Sequence, residues 1–199
     1  MTSRFHPGIL AAGLLLTAGT ALGGLAHLRG LEAGRGQAAQ VAATAAELRS
    51  TSRSLQRDVL LMALEEAEAH AKTVERFERR SRQMAEQGAA LDALLRAEGA
   101  PEAGRMEGLH RDLGAAMAGM RDLALAGDRA AAWEHQKAQV LPREIAAART
   151  NDPVIERFTA EAARRADVLA RRTLVAGAAT AAAALLSLAA AFLAGRRRA

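Results

Sequence analysis

The sequence has no cysteine and no tyrosine, and its aromatic residues are Trp133, Phe5, Phe77, Phe158 and Phe192 alone. Without cysteine there is no disulfide, no thiolate metal site and no cysteine nucleophile. That absence does not fix a compartment, because a helical domain in an oxidising space needs no disulfide. Valine and isoleucine are few, and no stretch alternates apolar and polar residues long enough to read as a strand. What remains abundant is alanine, leucine, arginine and glutamate, all good helix formers. The composition therefore predicts an all-α chain. Catalytic motifs are missing too. No nucleophile–base constellation, P-loop or glycine-rich phosphate cradle occurs, so the chain is not expected to be an enzyme, and no cofactor is called for.

The net charge is +5, but the excess lies at the ends. Residues 29–172 hold 23 Lys/Arg and 22 Asp/Glu, while Arg4 and Arg196, Arg197 and Arg198 supply the rest. A nucleic-acid binder would show a basic face on its folded part. Mixed charges along the middle instead describe solvated helices, and no nucleic-acid partner is expected.

Two runs lack charged side chains. The first is "GILAAGLLLTAGTALGGLAHL", residues 8–28, between Arg4 and Arg29. The second is residues 173–195, between Arg171–Arg172 and Arg196. About 20 apolar residues span a bilayer as a helix. The second run is rich in alanine, so Leu174, Leu185, Leu186, Leu188, Phe192 and Leu193 carry its insertion. Small residues such as Gly19-x-x-x-Gly23 suit close helix contacts in lipid. The first run also has the parts of a cleaved signal peptide, with Ala21-Leu22-Gly23 as a cleavage site. With both runs in the membrane, the order is a tail at 1–7, a span at 8–28, a domain at 29–172, a span at 173–195 and a tail at 196–199. Arg196–Arg198 favour a cytoplasmic C-terminus, which places the bulk of the chain outside the bacterial inner membrane.

Between the runs, heptad spacing marks four apolar stripes. Val41, Leu48, Leu55 and Met62 form the first, with Ala45, Ser52 and Val59 between them. Val74, Phe77, Met84, Leu91 and Leu95 form the second, with Ser81 and Gly88. Met106, Leu109, Leu113, Ala116, Met120 and Leu123 form the third. Leu141, Ile145, Ala148, Ile155, Ala162 and Leu169 form the fourth. Four such stripes predict an antiparallel four-helix bundle flanked by two transmembrane helices. The expected helices cover 29–66, 70–98, 103–126 and 128–172. "EGAPEAG" at 98–104 is a loop. Gly127 ends the third helix, and Asp128 caps the next. Pro142 and "TNDPV" at 150–154 kink or divide the last helix, and Asp152-Pro153 also reads as a helix start. The break between the first two helices rests only on a phase slip across "EEAEAHAK". An alternative is one helix over 29–98 folded back on 105–172, dimerising into four.

Arg49, Arg53 and Arg57 lie at i, i+4 and i+8 and share a helix face. They are either an anion site, gripping a carboxylate bidentately, or a solvated face partly neutralised by Glu47 and Asp58. His70, His110 and His135 read as surface histidines, since Glu107 and His110 alone fall short of a metal site. Trp133 reads as a core anchor, with a ligand-stacking platform as the alternative, and Met62, Met84, Met106, Met117 and Met120 read as packing residues.

The layout, with "LQRDVLLMAL" at 55–64 and "LALAGDRAAAWEHQKAQVLP" at 123–142, resembles the sensory region of a methyl-accepting chemotaxis receptor, or of a histidine kinase with the same sensor. The resemblance implies a membrane-anchored signal-transduction module. It also implies a carboxylate or amino-acid ligand on Arg49, Arg53 and Arg57, near the interface of a homodimer. The chain departs from the family after the second span, where a HAMP linker and signalling domain would follow. The module is therefore expected to act through partners, such as full-length receptors. The alternatives are a non-sensing helical scaffold or assembly factor of the envelope, or a truncated receptor whose remainder is encoded downstream.

Overall fold

The computed structural model describes residues 7–64 and 70–196, with the side chains of 7–14, 16, 191 and 193–196 outside the described set. Among the described residues the chain is all helical, with no strand. The elements are α1 (Pro7–Leu64), α2 (His70–Ala97), α3 (Met106–Leu125), α4 (Arg129–His135), a π-helical turn (Gln136–Val140) and α5 (Leu141–Arg196). Of the two expected tails, only Pro7 and Arg196 are described, and both are helical. The chain forms two compact units. One is Gln37–Glu161; the other joins Met1–Gly36 with Ala162–Ala199.

In the larger unit, α1 and α2 run antiparallel. Arg80 on α2 reaches both the carboxylate of Asp58 and the carbonyl of Ser54 on α1. In one straight helix those residues would lie about 33 Å apart at 1.5 Å per residue. The single long helix over 29–98 is thereby excluded; residues 65–69 lie outside the described set. Asp92 on α2 meets Gly104 and Met106 at the start of α3. On α5, Glu144 meets Gln56 of α1 and Asn151 meets Ala45. Each neighbouring limb thus runs opposite to the last.

The first stripe is buried along its whole length, from Val41 through Ser52 to Met62. Its leucines and Met62 each contribute about 1.5–3 kcal/mol by leaving water. The second stripe buries Phe77, Met84, Gly88, Leu91 and Leu95, with Thr73 in place of Val74. The third is rotated slightly from its expected face. His110, Met117 and Ala124 are buried where Leu109, Ala116 and Leu123 were expected, and only Ala116 of those three is itself buried.

The fourth stripe is a correction. Leu141 and Ile145 are exposed, and the core-facing set is Gln136, Val140, Ala147, Asn151, Val154 and Phe158. Two of these are polar, so a hydrophobicity pattern selects the wrong face. The π turn also shifts the phase. Pro142 has no N–H to return to the carbonyl four residues back, and its ring crowds that carbonyl. Just ahead of it the backbone widens, and the Leu141 N–H bonds the Gln136 carbonyl, five residues back. Neither proline divides α5, and Pro153 lies within it. Trp133, expected in the core, is 41% exposed.

The turn between α3 and α4 is as expected. Gly127 has φ 78°, open to glycine at little cost. The Asp128 carboxylate then accepts the Ala131 N–H at 3.0 Å and caps α4.

In the smaller unit, α1 and α5 lie side by side. A Cβ on Gly24 would sit 3.8 Å from that of Ala176. Gly19 and Gly23 face open space, so the close approach does not use the Gly-x-x-x-Gly pair. Among the described residues one helix is long and apolar enough to cross a membrane, the one that carries residues 173–190, and its apolar window is unburied. The first apolar run is helical, with Leu15, Leu22 and Leu25 exposed.

Candidate functional site

Because α1 is unbroken through 49–57, its arginines recur about every 6 Å along one face. Arg49, Arg53 and Arg57 line a single open cleft of about 540 Å³, together with Ala46, Ser50, Ser54 and Ile155. All three expected site residues are therefore brought together. Arg49 pairs with Asp152 at 3.1 Å, with both side chains more than a third exposed, a geometry that contributes little stability. Arg53 and Arg57 are exposed and make no ion pair among the described residues. Asp58 does not neutralise the row. It is buried and is held by Arg80 and Arg76 of α2. The cleft consequently presents two uncompensated guanidiniums and a third shared with one carboxylate.

Arg49 and Arg53 also border a second, smaller pocket of about 60 Å³. Its other walls are Ser52, His110, Glu144, Ala147, Ala148 and Asn151. Asn151 donates to the Ala45 carbonyl at 3.0 Å. Its Oδ1 and the Nε of Arg49 have no protein partner, although both are buried. Such groups need water or a ligand to complete them. His110 is buried, and its Nδ1 lies 2.9 Å from the Met106 carbonyl. Only a donor can bond a carbonyl, so Nδ1 carries the proton and Nε2 keeps a lone pair.

The pattern reading missed His110 and Asn151. His110 stands four residues after Met106 and three before Leu113, which is core spacing, and that spacing was the available signal. Asn151 had none, because it precedes a Pro-containing segment that resembles a break. His70 is likewise buried and His135 half-buried, so none of the three is the surface residue expected.

No family model, curated protein or solved structure matches this chain. The site must be read from its own chemistry. Arginines and hydroxyls are donors to an anion. Among the described residues no three His, Asp or Glu side chains are grouped to hold a metal ion.

Burial pushes the His110 imidazole below its ordinary value, and the Met106 carbonyl only partly offsets this. The folded chain therefore resists a proton that the unfolded chain accepts. Stability is lost as pH falls below the unfolded value of about 6.5. Arg49, Arg53 and Glu144 border the same pocket. Melting of the full chain in detergent is expected to weaken from pH 7 to 5, and His110→Gln should flatten that slope. An unchanged slope would assign the acid sensitivity elsewhere.

Proposed function

We propose that the chain is a membrane-anchored sensory module that binds a small carboxylate-bearing ligand. In this reading Arg53 and Arg57 grip the anion and Arg49 borders it. The larger unit acts as an antiparallel four-helix bundle between two transmembrane helices. It sits on the outer side of a bacterial inner membrane and signals by association with a second copy or with full-length receptors. The carrying observation is the cleft in which two arginines lack counter-ions. Adjacent unpaired guanidiniums with hydroxyls beside them offer an anion paired N–H donors in a locally positive cleft.

The test is thermal-shift screening of the full chain with amino acids and organic acids. A ligand present at 100 times its Kd adds about 2.7 kcal/mol, or roughly 5–10 °C for a chain of this size. The shift should disappear in Arg53→Gln/Arg57→Gln while the unliganded melting temperature holds. If no anion stabilises the chain at millimolar concentration, the sensory reading is lost.

One observation favours a second reading, that of a non-sensing envelope scaffold. Trp133, Leu141 and Ile145 are each more than 40% exposed on α4 and the start of α5, and exposed apolar groups of this kind suit protein contacts.

A further inference from the structure

The smaller unit has its own charge pattern. Exposed apolar side chains cover the helix pair, among them Leu22 and Leu25 on α1 and Leu174 and Val175 on α5. At the end of that apolar surface α1 continues into Arg29, and on α5 the apolar run is preceded by Arg171 and Arg172. The two helices are joined there, where an Arg172 guanidinium N–H donates to Nε2 of His27. Two turns further on, Arg165 donates to the Gly34 carbonyl at 2.7 Å.

The first layer of charge beyond the apolar surface is therefore wholly positive. The nearest acids on these helices, Glu32 and Asp167, stand about 4.5 Å and 6 Å further along, at 1.5 Å per residue. Arg29 and Arg171 are exposed and have no ion pair among the described residues. The bond from Arg172 to His27 uses one of its five N–H groups and gives it no counter-charge.

We propose that Arg29, Arg171 and Arg172 form a collar that binds the phosphate of an anionic phospholipid. A guanidinium matches phosphate with paired N–H donors and binds it more specifically than a point charge would. The adjoining Leu25, Leu174 and Val175 provide contact for acyl chains, which a free phosphate lacks. The collar does not overlap the arginine cleft, whose residues all lie in the larger unit. The inference rests on the membrane reading of the two apolar runs.

Native mass spectrometry of the full chain, released from micelles doped with equal phosphatidylglycerol and phosphatidylcholine, tests it. Phosphatidylglycerol adducts should dominate by up to about a hundredfold, each of the three basic residues near the surface being worth roughly fivefold. Arg29→Gln/Arg171→Gln/Arg172→Gln should abolish the preference, and Arg53→Gln/Arg57→Gln should leave it unchanged. Should the triple variant lose helicity, Arg171→Gln alone is read instead, with an expected drop of a few fold. Equal binding of both lipids, an unaltered preference in Arg171→Gln, or full displacement of the lipid by millimolar inorganic phosphate would overturn the collar. Extraction of the chain from vesicles by carbonate separates the two failures. A chain washed off the vesicles defeats the membrane reading itself, whereas a retained chain without lipid preference defeats only the collar.

Discussion

Replacing Arg80 by alanine is expected to destabilise the chain by about 3 kcal/mol, or roughly 6–12 °C in melting temperature. Asp58 is almost wholly buried, and its carboxylate is held by Arg80 and, at 3.6 Å, by Arg76. Removing one partner of a buried pair leaves a charge that the interior cannot solvate, at a cost of about 3–5 kcal/mol. Arg76 remains nearby, which puts the expected loss at the low end. Adding Asp58→Asn should recover a large part of it, since an amide tolerates burial better than an unpaired carboxylate. Chemical or thermal denaturation of the single and double variants gives the coupling directly. A change below about 0.5 kcal/mol in Arg80→Ala would show that the contact does not hold α2 against α1.

Asp92→Ala should cost a similar amount, about 2–4 kcal/mol, for a different reason. Asp92 is buried at the end of α2 and organises the following turn. Its carboxylate accepts the Gly104 N–H at 2.9 Å and the Met106 N–H at 3.1 Å, and it pairs with Arg96 at 2.8 Å. The two N–H groups belong to the entry of α3, where no preceding residue of the helix can satisfy them. Arg105, at the N-cap position, makes no side-chain cap. Asp92 therefore does from the neighbouring helix what a local cap would do. Asp92→Asn keeps an acceptor oxygen and should lose about half as much.

The same residue predicts an acid limb. Burial alone would push Asp92 up, but the Arg96 bond and the two backbone N–H groups outweigh it and hold the carboxyl below the ordinary aspartate value. Glu102 is lowered in the same way, with burial opposed by its paired bonds to Arg157. A depressed folded value means that the stabilisation is complete above the unfolded value, about 3.9 for aspartate. It is lost as pH falls through the lower folded value. The deficit of Asp92→Ala relative to the wild type should therefore be full at pH 6 and shrink as pH falls below about 4. A deficit that stayed constant with pH would mean that the ionised carboxylate does not hold the turn.

Much of the larger unit was readable in one dimension. Helix propensity and the lack of strand-like alternation determine the all-α class. The seven-residue seam from Val41 to Met62 is buried as its spacing requires, because α1 is an uninterrupted helix and its period alone selects the face. The same regularity places Arg49, Arg53 and Arg57 on one cleft. Gly127 and Asp128 end one helix and start the next because their preferences act within a few residues.

Other features needed the neighbours. No glycine or proline occurs at 65–69, yet the contact of Arg80 with Asp58 shows that α2 runs back along α1. On the last limb, Leu141 and Ile145 offered a convincing apolar face, yet Val140, Asn151 and Val154 are inside. The π turn ahead of Pro142 shifts the phase, and Ala45 on α1 supplies the partner that lets Asn151 be buried. His110 entered the core because Met106 offered its carbonyl and Gly88 of α2 left space beside it. Local periodicity determined which residues could share a face. Which face turned inward was decided in three dimensions, because burying a polar group depends on a partner that another helix provides.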